Sequence, residues 1–162
     1  MPFSAARSRR PLSAKPFAAQ TVLNDDQKWY KVSLRFFGEG LDVSSVAAKI
    51  GFKPDVVGRL GEHIRGNPRY ALYETNLWVH RCTDNDVLPF CDQLTELVTR
   101  LEERSDSIRA LTGAPGVGGE LLLAFSSGNG QGGFTLPVEL LARIAALGLD
   151  LGLDLYPPTG VA

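Results

Sequence analysis

Apolar and polar residues alternate from residue 29 to residue 37, with Val32, Leu34 and Phe36 on one side and Lys31, Ser33 and Arg35 on the other. Period two is the signature of a strand with one buried face. Gly38 and Gly40 end it. The period then changes, because Val43, Val46, Ala47 and Ile50 recur at helical spacing. A short helix is expected there, capped by Asp42 or Ser44 and closed by Gly51, with Pro54 preventing its continuation. A hairpin follows. Its first strand is short, at residues 56–60, and a polar connection with Gly61, Gly66 and Pro68 leads to a longer strand at residues 71–81.

Thr83, Asp84 and Asp86 read as a helix start, with the acids where the macrodipole favours them. Val87, Phe90, Cys91, Leu94, Leu97, Val98, Leu101, Ile108 and Leu111 then trace one long stripe ending at Gly113 or Pro115. Such a stripe packs flat on a sheet; a coiled coil is the weaker reading, because the repeat is short. After the glycines at 116–119 comes a strand at residues 120–125, then a Gly-rich loop. Thr135, Pro137 and Glu139 open a last helix that Gly148 closes. Residues 149–156 alternate strictly. Leu149, Leu151, Leu153 and Leu155 take one face, and Asp150, Gly152, Asp154 and Tyr156 the other.

The predicted order is β-α-β-β-α-β-α-β. Its first six elements match a ferredoxin-like βαββαβ core, with an αβ unit appended. The alternation predicts a sheet covered on one face only, hence an α+β fold built as a two-layer α/β sandwich with one open sheet face.

At 162 residues the chain suits one domain, expected at 28–158, with a disordered basic arm at 1–27 and a tail at 159–162. The arm carries Arg7, Arg9, Arg10 and Lys15, and residues 1–20 contain no acid. Over the whole chain the charge is balanced, with a net of -1, which favours neither nucleic acid nor an anionic membrane as a partner. No stretch approaches the ~18 apolar residues of a membrane span, and the N-terminus lacks the apolar run of a secretory signal. Cys82 and Cys91 fit neither a disulfide framework nor a zinc pattern, so free thiols in a reducing cytoplasm are expected.

Gly128, Gly130 and Gly133 satisfy G-x-G-x-x-G, a spacing used to hold a dinucleotide pyrophosphate at a helix N-terminus. Here, however, Phe134 and the Thr135 cap postpone the helix, and Asp154, at the distance of a ribose-binding acid, falls in mid-strand. The glycines are better explained as turn chemistry, with Asn129 and Gln131 satisfying backbone groups and Phe134 as an apolar anchor. The alternative is an anion held by Asn129, Gly130, Gln131, Gly132 and Gly133. His80, Cys82 and Asp84 alternate, but spacing supplies no further metal ligand, His63 being the only other histidine. Asp150 and Asp154 would stand ~13 Å apart, too wide for a glycosidase pair. No catalytic residue, metal or cofactor is expected.

The polar strand faces are more informative. Lys31, Ser33, Arg35 and Phe37, then Glu74, Asn76, Trp78 and His80, and finally Asp150, Asp154 and Tyr156 would share the uncovered surface. Exposed Trp, Tyr and Arg are typical of binding hot spots. An open ferredoxin-like sheet is also an RNA-recognition platform, but the aromatic stacking motif is missing and acids on the face would repel phosphate.

The stretches SLRFFGEGLDVSSVAAKIGFKP, RLGE, NLWV and above all GNGQGGFTLPVELLARIAALGLDLGLDLYP resemble the bacterial family called domain of unknown function 4279. The resemblance runs from about Tyr30 to Pro157. It implies a small bacterial cytoplasmic α/β domain and supplies no catalytic or binding residues. Together these readings lead to a non-catalytic protein-binding module that uses Arg35, Trp78, His80, Asp154 and Tyr156, with an immunity or accessory role suggested by analogy to other small α/β families. A small-anion or nucleotide-binding enzyme at residues 128–133 is the alternative, and nucleic acid bound by the basic arm is a third reading.

Overall fold

The computed structural model describes residues 27–82 and 87–157. The expected basic arm and the Thr83–Asp86 helix start lie outside them. In chain order the elements are β1 (Lys28–Gly38), α1 (Val43–Ile50), β2 (Val56–Gly58), a 3-10 turn (Ile64–Gly66), β3 (Asn76–Arg81), α2 (Phe90–Glu102), α3 (Ser105–Thr112), β4 (Gly118–Ser127), α4 (Val138–Ala146) and β5 (Asp150–Tyr156).

The strands form one sheet in the order β2-β3-β1-β4-β5. β1 runs antiparallel to β3 and β4, β2 antiparallel to β3, and β5 parallel to β4. The first four strands thus have the ferredoxin-like arrangement, and the α4–β5 unit extends the sheet past β4. The expected two-layer α+β sandwich is what forms.

Local chemistry explains most element ends. The Asp42 side chain accepts the Ser44 backbone N–H at 3.1 Å and caps α1. Hydrogen bonds from Ser44, the side chain first, hold the Asp42 carboxyl below the usual carboxylate range. Gly51 closes α1 in the left-handed region at φ 79°. Two expectations need correction. The single long helix is two, α2 and α3, because the polar run from Glu102 to Ser107 interrupts the apolar stripe. Thr135 does not cap the last helix: Pro137 stands at the N-cap of α4 and makes no side-chain cap. Arg143 of α4 donates from Nε and Nη2 to both Glu102 oxygens of α2 at 2.8 Å, tying the two helices together.

The core lies between the helices and one sheet face. Val32, Leu34 and Phe36 of β1 and Leu121 and Leu123 of β4 meet Val46 and Ile50 of α1, Phe90, Leu94, Leu97 and Leu101 of α2, Ile108 of α3 and Leu140 and Ile144 of α4. Directly paired residues share a face, so the register assigns every strand residue to the covered side or the uncovered side.

Candidate functional site

Rows of paired residues cross the uncovered face. One runs Val56, Val79, Arg35, Glu120, Asp150 from β2 to β5. The next holds Arg81, Ser33, Leu122 and Gly152, and beyond it lie Lys31, Ala124 and Asp154, then Trp29, Ser126 and Tyr156. Arg35, Asp154 and Tyr156 therefore stand on the face expected of them.

Trp78 and His80 do not. Trp78 pairs with Phe36 and His80 with Leu34, which turns both toward the helices. Trp78 is wholly buried in the core beside the Phe36 ring, and its Nε1 has no hydrogen-bond partner. His80 packs against Phe52 in a tilted arrangement at 4.7 Å, with Nδ1 2.8 Å from the Lys53 carbonyl oxygen. Asn76, paired with Gly38, follows the same parity. Period two in this strand was ambiguous because both sides are apolar. Leu77 and Val79 are the residues that face outward.

The uncovered face is not flat. The connection between β2 and β3 forms a small hairpin, in which Ile64 donates to the Ala71 carbonyl and Tyr73 to that of Glu62. It stands against the sheet and encloses a groove of about 790 Å³. Ser33, Arg35, Leu77, Val79, Arg81 and Leu122 form the sheet side, and Asp55, Val56, Val57, Tyr73 and residues 61–66 the other wall. Volume and mixed lining fall within the range of ligand pockets. The strand expected at residues 71–81 is shorter, Asn76–Arg81, because residues 71–73 fold back and pair with residues 62–64 of the expected polar connection.

The groove is electrostatically structured. Arg35 is buried and its Nη1 lies 3.1 Å from Glu120 Oε1. Asp55 Oδ2 accepts the Arg81 backbone N–H at 2.6 Å. Arg65 lines the wall at φ 57°, ψ 22°, a left-handed conformation that is uncommon for a residue with a side chain. Toward the far end, Tyr156 packs its ring on Trp29 at 5.2 Å. Burial, then a hydrogen bond to Asp154 and that residue's charge, push the Tyr156 phenol up to about 12, while the charge of Arg35 opposes the rise.

The glycine loop is organised as a turn. Asn129 Oδ1 accepts the Gln131 N–H at 2.9 Å, Gly130 donates to the Ser127 carbonyl, and Phe134 packs edge-on against Phe90 at 4.7 Å. α4 starts only at Val138, so the amides of residues 130–133 do not form its N-terminus. Cys82 is partly buried, and burial followed by the charge of Glu96 pushes its thiol up to about 11, which opposes thiolate chemistry at neutral pH. Among the described residues no group of three or more His, Cys, Asp or Glu side chains could hold a metal, and no helix is long and apolar enough to cross a membrane.

Residues 27–158 match the model of a family described as domain of unknown function (DUF4279), and the chain belongs to that family. No curated protein and no solved structure matches the chain.

Proposed function

We propose that this member of the DUF4279 family is a non-catalytic binding module that receives a segment of a partner protein in the groove beside Arg35. The observation that carries the reading is the groove itself: a concavity floored by sheet and walled by the β2–β3 hairpin, with apolar and charged groups converging on it. Val56, Leu77, Val79 and Leu122 offer contact area, and charged groups of both signs around them fit a partner segment that sets an apolar side chain among polar ones. A polypeptide lying along the sheet would also meet Asp154 and Tyr156 farther along the same face. The intact, unpaired thiols Cys82 and Cys91 fit a cytoplasmic protein.

The alternative, an anion at residues 128–133, has less support, because the loop satisfies its own backbone and stands apart from the α4 N-terminus. A double variant, Ile64→Glu with Arg65→Glu, alters the groove wall outside the core. Its thermal midpoint should match wild type, whereas its affinity for a partner captured by the wild-type chain should fall at least about tenfold. Equal affinity would refute the groove as the binding surface. Native mass spectrometry of the purified chain adds a second check: a retained small anion released by Asn129→Ala would favour the loop instead.

A further inference from the structure

β5 ends the sheet, with β4 on one side and no strand on the other among the described residues. Its backbone groups on that side have no sheet partner among the described residues. Natural edges are blunted by charged side chains, above all lysine, and by prolines, bulges or a covering element. Within Asp150–Tyr156 the charges are Asp150 and Asp154, both on the side away from the leucines, and there is no lysine, no proline and no interruption of the pairing with β4. The helix layer does not protect it either. Leu149 belongs to the core, but Leu151, Leu153 and Leu155, which share the face of Leu121 and Leu123, are 36%, 56% and 66% exposed.

We propose that β5 pairs antiparallel with β5 of a second copy of this chain, about a two-fold axis at Leu153, to give one continuous sheet across the dimer. The sequence of the strand selects both the occupant and the register. Centred on Leu153, all seven residues of the strand find partners. Leu153 meets its own copy and Leu151 meets Leu155, so the exposed leucines become one shared apolar stripe on the helix side. On the other side Asp154 lies opposite Gly152 and Asp150 opposite Tyr156, so no two carboxylates face each other. A register centred one residue earlier, on Gly152, places Asp150 directly against Asp154 twice and leaves Tyr156 without a strand partner. Like charges directly opposite one another destabilise a sheet, so the charge pattern favours the Leu153 register. A two-fold axis normal to the sheet keeps both helix layers on one side, and isologous pairing is the commonest route to a dimer. The groove beside Arg35 is on the opposite face and at the other end of the sheet, so the dimer would carry two grooves.

Sedimentation and cysteine cross-linking test this together. The wild-type chain should sediment as a dimer at micromolar concentration, and Leu153→Lys, a gatekeeper at an already exposed position, should weaken dimerisation at least about tenfold without lowering the thermal midpoint of the monomer. In a background with Cys82→Ala and Cys91→Ala, Leu153→Cys should oxidise to a disulfide-linked dimer. Leu151→Cys should form one only when mixed with Leu155→Cys. A monomeric wild type overturns the proposal. So does Leu151→Cys linking to itself in preference to Leu153→Cys, or a dimer that persists unchanged in Leu153→Lys. A dimer appearing only after removal of residues 1–26 also overturns it, since the edge would then belong to the chain's own N-terminal segment.

Discussion

β1 and β5 carry the same written pattern and have opposite fates. Each alternates apolar with polar residues, yet β1 buries Val32, Leu34 and Phe36 and also Ser33 and Arg35 on its other side. β5 exposes its leucines and keeps Asp154 and Tyr156 half-buried. β1 has a strand on both flanks and helices above it; β5 has one neighbour and lies at the margin of the helix layer. Alternation therefore tells which residues share a side. Burial is decided by what the rest of the chain places there.

Truncation of matched apolar residues gives the widest contrast. Phe36→Ala empties a fully buried position beside Trp78 and should cost about 4 kcal/mol in urea unfolding. Leu153→Ala, measured where the chain is monomeric, should stay within about 0.5 kcal/mol. Comparable losses would mean that β5 is covered after all. Glycines sharpen the same contrast. Gly38 closes β1 at φ 136°, and an added Cβ would sit 1.8 Å from the Gly116 carbonyl oxygen, so Gly38→Ala should cost about 3 kcal/mol. Gly152 in β5 has ordinary backbone, and its Cβ would meet the ends of Leu122 and Glu120 at 3.0 and 3.3 Å. Those side-chain ends can shift, so Gly152→Ala should cost about 0.5 kcal/mol or less. If the two unfolding curves coincide, the strand ends are not constrained differently.

The sheet, its ferredoxin-like order and the appended unit were legible because they rest on local signals: period two in β1 and β5, the Asp42 cap, Gly51 and Gly148. The site was legible only in part. Arg35, Asp154 and Tyr156 fall on the predicted face, since one side of their strands is plainly polar. In β3, Leu77 and Val79 compete with Trp78 and His80 for the core, and only pairing with Phe36 and Leu34 settles the parity. The groove was invisible for a different reason. It arises from a connection folding back on the sheet, a long-range event that no periodicity encodes.

Polar groups separate the strands by a smaller amount. Arg35, in the middle of the sheet, offsets the charge of Glu120, whose side chain is only 20% exposed. Arg35→Met leaves that carboxylate without its partner and should cost about 2 kcal/mol in the same unfolding measurement. Adding Glu120→Gln should restore most of the loss, because the double variant no longer buries an unpaired charge. If the double change recovers nothing, the pair is not what stabilises this row.

The smallest effect belongs to the edge strand and appears only at alkaline pH. The Tyr156 phenol is raised from 10.0 to about 12, chiefly by burial and then by its hydrogen bond to Asp154. A raised value means that the folded chain holds this proton more tightly than the unfolded chain does. The resulting stability is complete below pH 10 and is lost as pH rises from about 10 toward 12. Cys82, raised from 9.0 to about 11, titrates in the same direction and overlaps this window. The variants Tyr156→Phe and Cys82→Ala, followed side by side, separate the two. With Cys82→Ala as background, adding Tyr156→Phe should flatten the remaining decline above pH 10, and Asp154→Asn should move the phenolate absorbance transition toward a lower pH. A transition left at the ordinary phenol value in wild type would place Tyr156 in solvent, and the polar side of β5 would then be as exposed as its leucines.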